Sequence, residues 1–139
     1  MKKILLTICA ILICANTIVA QVTISRSELV GTKWQISEVY ERHESAYYEF
    51  TKEEFIWHRD DGTTWPSSFY LSNTIPEKFD STKVGVSTSG CYFNKYINKD
   101  HFTCYAILSF DKSKGEMVLE LKNDKFIGQD DPVTFILMK

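Results

Sequence analysis

Short segments in which apolar and polar residues alternate recur along this chain, and this pattern constrains its fold most strongly. An alternation with a period of two places successive side chains on opposite faces of a β-strand. Residues 117–122 and 133–138 show the pattern, and the two aspartates before Gly62 are typical of the turns between such strands. No segment after residue 20 has a sustained helical period. The sequence therefore predicts an all-β domain of eight or nine short antiparallel strands, as a barrel or a sandwich.

The first twenty residues are typical of an export signal rather than of the domain itself. Lys2 and Lys3 precede an apolar run over residues 4–15, and a short tail ends at the small residue Ala20. The run is shorter than the roughly 20 apolar residues that a membrane-spanning helix needs. We therefore expect a signal peptide over residues 1–20, a single domain over residues 21–139, and a periplasmic or secreted protein.

A lipid anchor is not expected. Cys9 and Cys14 lie within the apolar run, but each follows an isoleucine, where lipoprotein processing requires a small residue. After cleavage of the signal peptide, the sequence predicts no association with a membrane.

The charge of the predicted mature chain excludes several partners. Removal of Lys2 and Lys3 from the 16 basic residues leaves 14 against 18 acidic residues, a net charge of −4. Nucleic acids and anionic membrane surfaces are bound by clustered Lys and Arg side chains, and the sequence contains no such cluster. Its length suits one hydrophobic core. We therefore expect no nucleic-acid partner.

The chain carries no recognisable catalytic or metal-binding motif. His43, His58 and His101 lie in or beside predicted turns, where solvation or a contact with a neighbouring carboxylate explains each of them. No strained nucleophile turn of the G-x-S-x-G kind is present. Residues 111–122 lack the repeated acidic ligands of a calcium loop. The sequence therefore predicts no catalytic residue, no metal and no cofactor.

Two cysteines remain in the domain, on neighbouring strands joined by a turn near residue 98. One position of that turn would pair Phe93 with Cys104. A turn one position earlier would pair Cys91 with Cys104 and Phe93 with Phe102. Export permits disulfides, and free buried thiols are the alternative. We expect the second register, with a disulfide between Cys91 and Cys104.

The longest irregular stretch, residues 73–83, has two interpretations. Long loops in compact domains are often lids or binding loops, so this stretch could cover the open end of a barrel. Alternatively it is a packed connector, held in place by Ile75 and Phe79. The connector is the simpler interpretation, and the lid is the one with a functional consequence.

The first strand opens with the sequence Gly-Thr-Lys-Trp, ending at Trp34, and the chain closes with an apolar strand and Lys139. This layout resembles the lipocalin-like (calycin) proteins and, more loosely, the META-type domains. The resemblance implies an antiparallel up-and-down barrel of about eight strands. It also implies that Trp34 plugs the closed end of the barrel and that Lys139 packs across it as a cation–π pair.

The resemblance further implies a non-catalytic protein that holds a small hydrophobic ligand inside the barrel. The inward side chains that would line the cavity are Trp57, Tyr70, Phe93, Phe102, Leu108, Phe110 and Phe135. The alternative is a protein-interaction or inhibitor module that uses an exposed face rich in tyrosine, namely Tyr92, Tyr96 and Tyr105, since tyrosine is enriched at interfaces. A hollow barrel would favour the first function, and a barrel filled by its own side chains the second.

Overall fold

The computed structural model describes residues 21–36, 46–123 and 132–139. The predicted signal peptide over residues 1–20 and the side chain of His43 therefore lie outside the described residues. Strands account for 54% and helices for 7% of the structure, which confirms the predicted all-β class.

Ten strands lie in the described part of the chain, and eight of them form a closed antiparallel barrel. The strands are β1 (Ile24–Ser25), β2 (Lys33–Ile36), β3 (Tyr47–Phe50), β4 (Glu54–His58), β5 (Thr64–Ser72), β6 (Ser89–Gly90), β7 (Tyr92–Asn98), β8 (His101–Asp111), β9 (Glu116–Leu121) and β10 (Val133–Leu137). Each barrel strand pairs with the next one along the chain, and β10 pairs with β2 to close the sheet. The predicted eight-stranded up-and-down barrel is thus confirmed.

The N-terminal segment closes one end of this barrel. β1 pairs with β6 outside the barrel sheet, and a single helical turn, α1 (Arg26–Leu29), follows it. Ile24 and Leu29 are buried and belong to the same hydrophobic cluster as the barrel interior. Their side chains therefore plug the end of the barrel where β2 begins.

Trp34 is fully buried at this closed end, as predicted. Its Nε1 donates a hydrogen bond of 2.7 Å to Oγ1 of Thr32, and its ring packs against Phe110. The predicted partner Lys139 is exposed and has no cation–π contact with Trp34. The reason is its position: Leu137 is the residue of β10 that pairs with Trp34, so Lys139 lies two residues beyond the pair.

The β7–β8 hairpin has a register that neither sequence-based alternative anticipated. Asn98 pairs with His101 across a two-residue turn, whereas Tyr96 pairs with Phe102. Ile97 is therefore an extra residue on β7, a β-bulge beside the turn. Because side chains alternate with a period of two, a one-residue change of register exchanges the two faces of a strand. The bulge thus reverses the faces that the sequence predicted for residues 102–106 of β8.

The same register explains why the predicted disulfide is not formed. Cys104 pairs with Asn94, and Cys91 lies three residues away from Asn94 along the chain. Three residues of extended chain span about 10 Å, whereas the Cα atoms of a disulfide lie ~4.4–6.8 Å apart. Both cysteines are free.

The irregular stretch after β5 packs against the outer wall of the barrel. The ring of Phe79 lies 5.0 Å from that of Tyr70 and 5.3 Å from that of Tyr96, and the backbone N–H of Asp80 donates to the Tyr70 hydroxyl at 3.3 Å. The lid interpretation is therefore wrong. The connector interpretation is right about Phe79, but Ile75 is 47% exposed rather than packed into the structure as that interpretation expected.

Candidate functional site

The barrel contains a cavity of about 700 Å³ at the end opposite α1. Small-molecule pockets commonly have volumes of roughly 300–1,000 Å³, so the cavity can accommodate a ligand. Its walls come from seven of the eight barrel strands, all except β5. The lining residues are Ile36, Tyr48, Phe55, Phe93, Lys95, Ile97, Asn98, His101, Thr103, Tyr105, Leu119, Leu121, Val133 and Phe135.

A layer of phenylalanine rings forms the floor of the cavity. Phe50, Phe55, Phe69 and Phe93 pack with ring centroids 4.8–5.5 Å apart. All four side chains are buried, and they separate the cavity from the plug around Trp34. This phenylalanine layer and the residues around Trp34 therefore fill the closed half of the barrel, and the other half is hollow.

Two polar groups lie side by side in the cavity wall. Lys95 on β7 and Thr103 on β8 are directly opposite each other in the antiparallel pair, and both line the cavity. Thr103 is only 8% exposed, and its Oγ1 has no hydrogen-bond partner in the part of the chain that the structure describes. The Lys95 ammonium lies 5.7 Å from the ring centroid of Phe55, and burial lowers the pKa of this lysine.

The remaining polar groups of the wall include Tyr48 and His101. Burial, assisted by the nearby Tyr105, raises the pKa of Tyr48 to about 12, so the Tyr48 hydroxyl keeps its proton at neutral pH. His101 lies at the rim, where its Nδ1 is 3.3 Å from Oδ1 of Asn98. Among the described lining residues there is no aspartate and no glutamate. The described part of the wall therefore combines apolar side chains with the basic groups of Lys95 and His101, and it contains no carboxylate.

Two of the seven predicted ligand-binding residues line the cavity, namely Phe93 and Phe135. Trp57 stacks on the cavity-lining Tyr48 at a centroid distance of 6.2 Å. It is itself 37% exposed and does not line the cavity. Phe110 is inside the barrel but packs against Trp34, below the floor.

The other three predicted residues do not face the cavity. Tyr70 and Phe102 lie on the outer wall, where both pack against Phe79. Leu108 occupies a second bulge, between the paired residues Ile107 and Ser109, and does not line the cavity. The position of Phe102 follows from the unforeseen register of the hairpin, whereas that of Leu108 follows from the separate bulge between β8 and β9.

The most informative residues that the sequence reasoning missed are Lys95 and Thr103. Strict alternation from Phe93 along β7 was a sufficient signal for Lys95, because residues 93, 95 and 97 share a face. A lysine in an otherwise apolar wall was not expected from composition. Thr103 could not be placed, because its face depends on the bulge at Ile97.

The three tyrosines of the alternative function do not share a surface. Tyr105 lines the cavity, whereas Tyr92 and Tyr96 are on the outer wall. The Tyr92 hydroxyl accepts a hydrogen bond from Nε2 of Gln21 at 2.8 Å, and Tyr96 packs against Phe79. The predicted tyrosine-rich face is therefore not formed.

Neither metal-binding clusters nor membrane-spanning helices occur among the described residues. No three His, Cys, Asp or Glu side chains converge there, and no helix there is long and apolar enough to cross a bilayer. His58 instead contacts Oε2 of Glu49 through its Nε2 at 2.9 Å and stacks on Tyr47 at 4.3 Å, away from the cavity.

Comparisons of this chain with models of protein families, with curated proteins and with solved structures gave no match. The geometry of the barrel and its cavity is therefore the basis of the functional argument.

Proposed function

We propose that this protein binds a small, predominantly apolar molecule inside the barrel and does not catalyse a reaction. The observation that supports the proposal is the hollow half of the barrel, with about 700 Å³ of space above a floor of phenylalanine rings. Transfer of apolar ligand surface from water into such a cavity is favourable by ~25 cal/mol per Å² before the costs of association.

The resemblance to lipocalin-like proteins supports the same function. A closed eight-stranded barrel, a buried tryptophan at one end and a cavity at the other are the features that this resemblance implies. We further propose that binding takes place outside the cytoplasm, as the signal-like segment over residues 1–20 indicates.

Fluorescence titration with N-phenyl-1-naphthylamine tests this function, because this uncharged probe becomes bright in apolar surroundings. The wild-type protein without residues 1–20 should bind it saturably with one site per chain. Val133→Phe should weaken binding about tenfold or more, because the added ring occupies the cavity. No saturable binding by the folded wild-type protein would overturn the proposal.

Ile136→Phe is the matched control for this experiment. Ile136 lies on the same strand, β10, but on its outer face and 40% exposed. A phenylalanine there should leave the probe affinity unchanged, and near-ultraviolet circular dichroism should show that both variants are folded. Equal weakening by both substitutions would show that the probe does not bind in the cavity.

The alternative function, a protein-interaction or inhibitor module, loses its expected surface because the three tyrosines are divided between two faces. Native mass spectrometry of the protein purified from its own host distinguishes the two functions. A co-purifying mass of a few hundred daltons supports ligand binding, and an intact partner protein supports the alternative.

A further inference from the structure

Lys95 is an unusual residue for the position that it occupies. It lies on the inward face of β7 between the buried Phe93 and the cavity-lining Ile97, and it pairs with Phe69, a floor residue, on the neighbouring strand. Placing an ammonium group in apolar surroundings is costly unless a charged partner compensates it. A lysine at this position therefore requires a physical explanation.

The described residues supply no such partner. Their ion pairs join His58 with Glu49, Arg59 with Asp61, Lys99 with Asp100 and Lys122 with Glu120. Lys95 takes part in none of them, and its ammonium lies 5.7 Å from the ring centroid of Phe55. Within this part of the chain, the ammonium group thus has space in front of it and no counter-ion.

Thr103 provides a second, independent observation at the same place. Its hydroxyl is buried, faces the cavity and has no partner among the described residues, although buried hydroxyls normally make at least one hydrogen bond. Directly opposed side chains of an antiparallel pair have Cβ atoms ~4.5–5.5 Å apart. The ammonium of Lys95 and the hydroxyl of Thr103 can therefore bind the same group of a ligand.

We propose that Lys95 and Thr103 bind the anionic head of an otherwise apolar ligand, such as a carboxylate. The inference rests on the proposed function and names the ligand class for that cavity. Lys95 has only donors to offer, and Thr103 can donate its hydroxyl proton, so an oxyanion satisfies both. The apolar remainder of the ligand then lies against Phe55, Phe93, Leu119 and Phe135.

The charge of the cavity fits an anion better than a cation. Lys95 and His101 are the described lining residues that can carry a positive charge, and no described lining residue carries a negative one. A cationic ligand would face Lys95 without compensation. A purely apolar ligand would leave the half-buried Lys95 ammonium and the buried Thr103 hydroxyl without a partner among the described residues.

A pair of probes with the same apolar body tests this inference. 8-Anilino-1-naphthalenesulfonate carries an anionic sulfonate, and N-phenyl-1-naphthylamine is the same molecule without it. In Lys95→Met, the affinity for the sulfonate probe should fall about tenfold or more, as expected from the loss of a charge-assisted hydrogen bond. The affinity for the uncharged probe should remain within about twofold, because methionine preserves most of the apolar wall.

Lys99→Met controls for non-specific attraction of the anionic probe. Lys99 is in the turn of the same hairpin, at the same end of the barrel, with its side chain 88% exposed. The substitution should leave both affinities unchanged. Thr103→Val, which preserves the shape of the side chain, should weaken the sulfonate probe alone and by a smaller factor than Lys95→Met.

The outcomes separate this inference from the proposed function. One outcome is that the uncharged probe binds and that the wild type and Lys95→Met have equal affinity for the sulfonate probe. This outcome would overturn the role of Lys95 and leave the cavity function intact. Binding of neither probe by the folded wild-type protein would overturn both. Displacement of the sulfonate probe by dodecanoate, but not by dodecan-1-ol at the same concentration, would extend the result to a carboxylate. Equal displacement by the two would contradict the preference for an anion.

Discussion

Trp34 on β2 and Phe110 on β8 lie with their ring centroids 6.0 Å apart and their planes tilted by 48°, across the closed end of the barrel. These strands are far apart in the chain and are not neighbours in the sheet. The contact therefore joins opposite walls through the interior. Together with the plug residues Ile24 and Leu29, it makes one end solid, so that the ligand cavity is confined to the other.

The first prediction concerns this closed end. Trp34→Ala should lower the free energy of unfolding by about 3–5 kcal/mol, because it removes a fully buried ring and leaves a cavity. Trp65→Ala is the matched control, since Trp65 is 61% exposed at the other end, and it should lower the free energy by less than about 1 kcal/mol. Chemical denaturation measures both. A loss below about 1 kcal/mol for Trp34→Ala would contradict the account of the plug.

The second prediction concerns the segment between β5 and β6, which packs on the outer wall through Phe79. Phe79→Ala should destabilise the protein by about 1–3 kcal/mol, less than for a fully buried phenylalanine because this ring is half-buried. It should also accelerate amide hydrogen exchange in residues 74–88, and it should not change the affinity for N-phenyl-1-naphthylamine.

Ile75→Ala is the control for this segment, because Ile75 is exposed and should matter little for either measurement. A change in probe affinity with Phe79→Ala and not with Ile75→Ala would revive the idea of a lid and would contradict the packing described above.

The third prediction concerns the two cysteines. Thiol titration of the denatured, unreduced protein without residues 1–20 should find two free thiols, since Cys104 pairs with Asn94 rather than with Cys91. In the native protein Cys104 should react slowly, because it is buried and burial raises its pKa to about 12, which keeps the thiol protonated. The folded Cys91→Ser variant, in which Cys104 is the remaining cysteine of the domain, should therefore show no fast-reacting thiol. A denatured protein without free thiols would contradict the register of the hairpin.

The architecture could be predicted from the sequence for a physical reason. Alternation and turn residues are local properties, and a closed barrel is one of the few ways in which many short antiparallel strands bury one face each. Trp34 was placed correctly because its strand has one inward aromatic side chain. Its pairing with Lys139 was not, because the register of β10 on β2 ends before that residue.

The ligand site was harder to predict because it depends on register. The bulge at Ile97 shifts β8 by one residue, and this shift places Thr103 and Tyr105 inside and Phe102 outside. The bulge has no signal in the sequence, since the residues near the turn are compatible with both of the turn positions considered above. The hollow half of the barrel could not be predicted from the sequence either, because it depends on how the phenylalanine rings pack in three dimensions.

The fourth prediction is a pH dependence that Lys95 confers on stability. Burial lowers the pKa of Lys95 below its ordinary value of 10.5, so the unfolded chain binds more protons than the folded one between these two pKa values. The destabilisation of the ligand-free protein by Lys95 is therefore greatest at pH values below the pKa of Lys95 in the folded state. It disappears as the pH rises to 10.5, the pKa in the unfolded chain. Lys95→Met should be more stable than the wild type at pH 7, and the difference should shrink as the pH rises.

The other titratable groups that face the cavity are Tyr48, Tyr105 and His101. All three are present in both proteins, so their contributions cancel when the two free energies of unfolding are subtracted. Chemical denaturation at several pH values between 7 and 10.5 gives this difference. A difference that is independent of pH would contradict the burial of the ammonium group.

The location of bound ligand in the hollow half of the barrel is tested most directly by nuclear magnetic resonance. Methyl spectra of the protein are recorded during titration with N-phenyl-1-naphthylamine. The account predicts shifts for the cavity methyl groups of Leu119, Leu121 and Val133, and none for Leu29 in the plug or Ile136 on the outer wall. Shifts at Ile136 without shifts at the cavity methyl groups would contradict it.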